Sequence, residues 1–143
     1  MVGEDQHRTF AVEEAHPVRW TIEEQGQALL QLYRCAMECM GKAEGLIRSG
    51  DVVAKTEQLL HAQRIVLQLA DALDPDPASP EAVTLAANLE RLYLYIHRRL
   101  VRANNLLDPA AVREARRLMA TLYPAWEQAV AATRAMAAAP VLV

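Results

Sequence analysis

A chain of 143 residues is the size of one domain and can bury a modest hydrophobic core. Its formal net charge of −3 provides no broad basic surface, which argues against general nucleic-acid binding. The N-terminal stretch MVGEDQHRTF lacks the apolar segment of a secretory signal, and no run reaches the length of a membrane span. We therefore expect a cytoplasmic protein without membrane insertion.

Residues 1–20 show no helical periodicity, and we interpret them as a flexible N-terminal arm. The first helix is predicted to begin at Thr21, because Thr21 and Glu24 have the spacing of a capping box. Its apolar residues recur at steps close to three and four, as expected of an amphipathic helix. They form a core row of Ile22, Leu29, Tyr33, Ala36, Met40, Ala43 and Ile47. Gly50 is predicted to end this helix and Asp51 to cap the next.

The second helix is predicted over about residues 51–73. Its core row is Val52, Thr56, Leu59, Val66, Ala70 and Leu73. Ile65, Leu67 and Leu69 lie off this row, so the second half of the helix is apolar on most sides. The segment DPDPASP at residues 74–80 ends the helix, because proline cannot continue it.

Two further helices begin with a capping residue followed by proline: Ser79 and Pro80 for the third, Asp108 and Pro109 for the fourth. The core row of the third helix is Leu85, Leu89, Leu92, Ile96, Leu100 and Ala103. The core row of the fourth helix is Val112, Ala115, Met119, Leu122, Trp126 and Val130. We expect residues 138–143 to form a frayed tail.

Four amphipathic helices with mostly short connections predict an all-α fold, an antiparallel four-helix bundle. The bundle is expected to be a single domain over residues 21–137, and a short extra helix is compatible with the pattern. No segment alternates with a period of two, so we predict no β-strands.

The sequence shows no assembled catalytic, cofactor or metal site. Cys35 and Cys39 lie on one helix face and are interpreted as packing residues, because a metal site needs ligands that no cysteine–histidine cluster in the sequence supplies. Glu57 and His61 are neighbours on a helix, which favours a surface pair over a di-iron ligand pair. We find no phosphate-binding loop or nucleophile motif, and we predict a non-enzymatic protein without metal or cofactor.

A histidine phosphotransfer module is the alternative hypothesis, because such modules are also four-helix bundles. His61 and His97 are the helical candidates for its reactive histidine. Arg98 and Arg99 follow His97 and could neutralise a phosphoryl group. Neither histidine lies in the HxxKG context of that family.

Surplus apolar residues on the second and third helices are the more informative feature. These ridges consist of Ala62, Ile65 and Leu69 on the second helix and of Ala87, Leu94 and Val101 on the third. Large exposed apolar patches usually mark binding sites, although broad core stripes or a covering segment would produce the same pattern. A groove between the two helices would accept an amphipathic helix or an apolar chain segment.

Four segments occur in an order and at spacings that match a known family. They are LLQLYRCA (29–36), AEGLIRSGD (43–51), AQRIVLQL (62–69) and NLERLYLYIHRRLVRANNLLDP (88–109). Together with Trp126 they resemble the FliS family of flagellar export chaperones over about residues 27–128. The resemblance implies a non-enzymatic helical bundle that binds the C-terminal segment of newly made flagellin. It also implies that this binding prevents early polymerisation and aids delivery to the flagellar export apparatus.

The chain departs from the family pattern at several positions. Glu24 and Gln25 stand where family members usually have Ser-Pro, and Arg34 and Leu94 stand where an acid commonly follows Leu-Tyr. The proline-rich link between the second and third helices is longer than usual and lacks the family's Gly-Gly. Which flagellin or other export substrate is the client therefore stays open.

The apolar ridges and the resemblance together give a predicted binding groove between the second and third helices. Its predicted partner-binding residues are Phe10, Ile65, Leu69, Leu94, Tyr95 and Val101. Phe10 is expected to stand in for the aromatic residue of the family's arm and to cover part of the groove in the free protein. Asn104 is expected to satisfy backbone groups at a helix end rather than contact a client.

Overall fold

The computed structural model describes residues 22–138, which form four α-helices. These are α1 (Ile22–Ser49), α2 (Val52–Asp71), α3 (Pro80–Leu106) and α4 (Pro109–Ala138). No strand occurs in this part of the chain, and the predicted all-α fold is confirmed. The arm with Phe10, the Thr21 capping residue, the Ile22 side chain and residues 139–143 lie outside the described residues.

The helix ends follow the capping residues that the sequence predicts. Asp51, Ser79 and Asp108 each accept hydrogen bonds from backbone amides of the helix that follows. Gly50 closes α1 with a φ of 81°, in the left-handed region where glycine carries no steric penalty. Leu107 ends α3 and also adopts positive φ, at 51°, which a branched side chain rarely does.

The four helices form a closed ring in which each packs against two neighbours. Helix α1 contacts α2 and α4, and α3 contacts the same two helices from the opposite corner. Over residues 22–138 the backbones of diagonally opposite helices stay apart, and α1 meets α3 through the side chains of Tyr33 and Tyr93. None of these four helices combines the length and the apolar character that crossing a bilayer requires.

The centre of the ring is filled by apolar side chains from all four helices. Fully buried members of the predicted rows are Tyr33, Ala36, Met40, Ala43, Leu59, Val66, Ile96, Leu100, Ala103, Val112, Ala115 and Met119. Trp126 and Leu122 continue the row of α4 as partly buried side chains against this core. The alternation of three- and four-residue steps therefore identifies the inward face of each helix correctly.

Two residues of the predicted core rows lie at the surface instead. Val52 is 58 % exposed and Leu85 is 59 % exposed. Val52 is the first residue of α2 and lies at the end of the bundle near Gly50. Helix α3 has 27 residues and α2 has 20, so the first turns of α3, including Leu85, extend past the end of α2. The periodic pattern gives the direction of a side chain, whereas helix length decides whether a neighbour covers it.

Candidate partner-binding surface

A cluster of three aromatic side chains ties α1, α3 and α4 together at the centre of the bundle. Tyr33 and Tyr93 are buried, and their hydroxyl groups are hydrogen-bonded to each other. The indole Nε1 of Trp126 donates a second hydrogen bond to the Tyr33 hydroxyl at 2.8 Å. Burial raises the pKa of Tyr33 well above its ordinary value and also raises that of Tyr93, because an ionised phenol loses its hydration there. The cluster is therefore a neutral, structural network.

A polar contact joins α2 to α3 at the end of the bundle near Gly50. The Lys55 side chain is buried, and its Nζ donates to the backbone oxygen of Asn104 at 2.9 Å and to its Oδ1 at 2.7 Å. Thr56 donates to the same Oδ1 at 3.4 Å. The expectation that the Asn104 side chain serves backbone groups is therefore wrong, because it accepts from side chains of α2.

Two of the predicted partner-binding residues, Ile65 and Leu69, belong to the core. They are 3 % and 2 % exposed, so the expectation that they lie outside the core row is wrong. Ile65 is one turn after His61, whose Nδ1 lies 3.6 Å from Cys39 Sγ on α1. That face of α2 points toward α1, because residues four apart share a helix face. Helix α2 is covered on two sides, which widens its buried sector beyond a single row.

Tyr95 lies on the side of α3 that faces α4. Its hydroxyl donates a hydrogen bond to Glu114 on α4, and this bond is the main cause that raises the pKa of the tyrosine. Arg99, one turn further along α3, forms an ion pair with Glu114 at 3.1 Å. Adjacent residues of a helix project about 100° apart. Tyr95 therefore does not share the ridge of Leu94, and the predicted grouping of the two in one groove is wrong.

Leu94 and Val101 do lie together on the outer side of α3. Leu94 is 37 % exposed and Val101 is partly buried. They are seven residues apart, which places them on one face of the helix two turns from each other. Asn104, three residues after Val101, points to Lys55 and Thr56, so this side of α3 borders α2.

Two exposed leucines of α2 complete this surface. Leu60 is 40 % exposed and Leu67 is 39 % exposed, and they are also seven residues apart. Thr56 on α2 contacts Asn104 on α3. Leu60 lies one turn after Thr56, and Val101 lies about one turn before Asn104. Because the helices are antiparallel, Leu60 is level with Val101, and two turns further Leu67 is level with Leu94. Together, Leu60, Leu67, Leu94 and Val101 form the α2–α3 strip.

Charged residues border the α2–α3 strip on both helices. Glu57 and Arg64 on α2 and Glu90 and Arg98 on α3 have exposed side chains. An apolar centre with a polar, solvated rim is the usual composition of a protein–protein contact surface. Sequence reasoning places Leu67 off the core row but assigns neither Leu60 nor Leu67 to the binding surface, although their seven-residue spacing matches that of Leu94 and Val101.

A cluster of three possible metal ligands lies on the α1–α2 side of the bundle. The Sγ atoms of Cys35 and Cys39 and a ring nitrogen of His61 lie within 4.8 Å of one another. Burial, and then the neighbouring Cys35, raises the pKa of the Cys39 thiol. The sequence-based expectation that no cysteine–histidine cluster forms is therefore wrong, because His61 comes from a different helix. His97, the other phosphotransfer candidate, is partly buried on α3.

Comparison with known proteins identifies the family of this bundle. The family model described as flagellar protein FliS matches residues 13–133. The chain belongs to the FliS family. It is 29 % identical over 109 residues to the flagellar secretion chaperone FliS of Bacillus subtilis, which covers 76 % of this chain and 77 % of that protein. It is 34 % identical over 103 residues to the flagellar secretion chaperone FliS of Salmonella typhimurium, which covers 71 % and 73 % respectively.

The FliS match confirms the resemblance that the four segments indicate. It covers the α2–α3 strip, the aromatic cluster and the cysteine–histidine cluster, all of which lie inside the matched residues. The similar proteins are flagellar secretion chaperones, which favours the chaperone hypothesis over that of a histidine phosphotransfer module.

Proposed function

We propose that this chain is a non-enzymatic flagellar export chaperone that acts in the cytoplasm and binds the C-terminal segment of flagellin. Membership of the FliS family and similarity to two flagellar secretion chaperones support the general role. The observation that supports binding by this chain is the α2–α3 strip, an exposed apolar surface with a charged rim. By occupying the segment before export, the chaperone prevents early polymerisation and aids delivery to the export apparatus.

The geometry of the strip favours one class of ligand. Two pairs of apolar side chains, Leu60 with Val101 and Leu67 with Leu94, lie about 10 Å apart along the helices, as seven residues of α-helix require. An amphipathic helix with apolar side chains at i, i+3 or i+4, and i+7 presents anchors at the same spacing. Flagellin's segment would lie in the shallow groove between α2 and α3 and contact the charged rim with its polar face.

Anchoring by these side chains has a magnitude that mutation can measure. Burying one leucine fully is worth roughly 1.5–3 kcal/mol, and a segment that becomes ordered on binding depends on such burial. A carboxylate placed at the same position loses this contribution and adds a desolvation cost. Leu94→Glu and Leu67→Glu should each weaken flagellin binding by at least about tenfold, since 1.4 kcal/mol is a factor of ten.

Calorimetric titration with a flagellin C-terminal peptide tests the proposal, with circular dichroism of every variant. Leu106→Glu is the matched control, because Leu106 is an exposed leucine on α3 and projects about 120° away from Leu94. Intact helicity with weaker binding in the two strip variants alone supports the site. Wild-type affinity in both strip variants refutes the site, and failure of the wild-type protein to bind flagellin refutes the proposed client.

The N-terminal arm is a further part of the proposal. Phe10 is predicted to cover part of the client surface in the free protein. Deletion of residues 2–18 should then leave helicity unchanged and alter the affinity for flagellin. Unchanged affinity, or loss of the folded bundle, would contradict this role for the arm.

A further inference from the structure

The cysteine–histidine cluster between α1 and α2 has no role in the proposed client binding. Cys35 and Cys39 share one face of α1 because they are four residues apart, and His61 approaches them from α2. Cys39 is buried, Cys35 is partly buried and the His61 ring is exposed to solvent. On α2, His61 directly follows Leu60, so it projects about 100° away from the α2–α3 strip.

The separations within the cluster are those of a partly assembled coordination site. Zinc binds cysteine sulfur at about 2.3 Å and histidine nitrogen at about 2.0–2.1 Å in tetrahedral geometry. Two such ligands on one ion are then about 3.6 Å apart for a sulfur–nitrogen pair. The Cys39 Sγ to His61 Nδ1 distance is 3.6 Å, and every ligand-atom pair in the cluster lies within 4.8 Å. Side-chain rotations that move a ligand atom by about 1 Å would bring all three atoms to the separations of a tetrahedral zinc site.

We propose that Cys35, Cys39 and His61 form a binding site for one Zn²⁺ ion, with water in the fourth position. Two thiolates and an imidazole are ligands that favour zinc over magnesium or calcium, which prefer oxygen. The exposed His61 ring gives the ion a path from solvent and leaves room for the fourth ligand. On binding, the two thiols release their protons to solvent while the imidazole stays neutral.

Binding at this position has a structural consequence. Two ligands come from α1 and one from α2, so the ion cross-links two helices that are otherwise held together by apolar contacts. A ligand that binds only the folded state raises its stability with concentration. Zn²⁺ should therefore raise the melting temperature of the wild-type protein more than that of His61→Gln at the same concentration.

Titration of the full, reduced chain with Co²⁺ tests the site, because tetrahedral cobalt–thiolate complexes absorb visibly and Zn²⁺ displaces the cobalt. We expect one ion per chain. The affinity for Co²⁺ should be at least about tenfold weaker in Cys35→Ser and in His61→Gln, because loss of a direct ligand should cost at least as much as loss of a residue that supports a ligand. His97→Gln is the matched control and should bind as the wild type does. His61→Gln keeps the test valid if Cys35→Ser fails to fold, because the His61 side chain is exposed.

Three outcomes would overturn the proposal. One is the lack of a thiolate–cobalt absorption band in the wild-type protein. Another is undiminished binding in His61→Gln, which would mean that the cysteines act without the histidine. The third is one ion per two chains, which would mean that the thiols bridge separate molecules. None of these outcomes bears on flagellin binding.

Discussion

The indole Nε1 of Trp126 and the hydroxyl of Tyr33 are joined by a hydrogen bond of 2.8 Å that connects α4 to α1. The Tyr33 hydroxyl is also bonded to that of Tyr93 on α3, so one oxygen serves three of the four helices. Trp126 is partly buried, whereas both tyrosines are almost fully buried. The hydrogen bonds therefore matter more for stability at Tyr33 than at the edge of the cluster.

Tyr33→Phe should lower the free energy of unfolding by about 1–3 kcal/mol, because it removes the hydrogen-bond partner of the Trp126 indole N–H and of the buried Tyr93 hydroxyl. Urea denaturation followed by circular dichroism measures the loss. Tyr123→Phe is the control, since the Tyr123 hydroxyl accepts its bond from the exposed Arg34 and should cost about 0.5 kcal/mol or less. Equal stability of Tyr33→Phe and the wild type would show that the network contributes nothing.

Leu69→Ala and Leu67→Ala should differ strongly in stability although they are two residues apart. Leu69 is 2 % exposed, and its truncation should cost about 2–5 kcal/mol through lost burial and a cavity. Leu67 is 39 % exposed, and its truncation should cost less than about 1 kcal/mol. Urea midpoints compare the two variants directly. A larger loss in Leu67→Ala than in Leu69→Ala would contradict the orientation of α2.

Two glycines of α1 form a matched pair for substitution by alanine. A Cβ atom at Gly26 would lie 2.9 Å from Cγ1 of Val130 on α4, whereas one at Gly45 would meet nothing within 4 Å. Gly45→Ala should stabilise the protein by about 0.5–1 kcal/mol, since alanine is the better helix former. Gly26→Ala should lose that gain, because the stiff valine must shift and α1 must separate from α4.

Thermal melting of the two glycine variants tests this difference. We expect a higher melting temperature than wild type for Gly45→Ala and a lower one for Gly26→Ala. Similar increases for both would show that α1 and α4 do not approach closely at Gly26.

Alkaline pH should unfold the protein through its buried tyrosines. The pKa values of Tyr33 and Tyr93 are raised in the folded state by burial, so the unfolded state ionises first as the pH increases. The stability that the neutral phenols provide is fully present below the unfolded pKa of about 10 and is lost progressively above it. Tyrosinate absorbance and circular dichroism should therefore change together for these two residues. Their ionisation with unchanged helicity would contradict their burial.

The fold follows from the sequence because each helix carries its own signals. Capping residues such as Ser79 and Asp108 depend only on the local chain, and they are found where predicted. The periodic apolar rows are also local signals, and the members that the structure describes face the core except Val52 and Leu85. Their positions, however, do not reveal which neighbour covers each flank of a helix. Ile65 and Leu60 both lie beside the core row of α2, yet α1 covers the first and the second is exposed.

The candidate sites are less predictable for the same reason. The meeting of Cys39 with His61 depends on the register between two helices, which their separate sequences do not encode in any simple pattern. Tyr95 illustrates the opposite error, because its polar tip suggests a binding border but is bonded to Glu114 on α4. The family resemblance indicates the general role, and the side-chain positions change which residues are proposed for the client surface.

Closure of the ring by α1 and α4 has a consequence for the order of folding. Tyr33 and Trp126 are 93 residues apart in the chain, so their contact closes a long loop, whereas α1 and α2 are joined by a tight turn at Gly50. Local hairpins form faster than contacts of high sequence separation, which makes the interface between α1 and α4 the last to close. Helix α4 also contains Pro124, which lacks an amide to donate. Backbone amides of α4 near Pro124 should consequently exchange with deuterium before those of the α1–α2 hairpin.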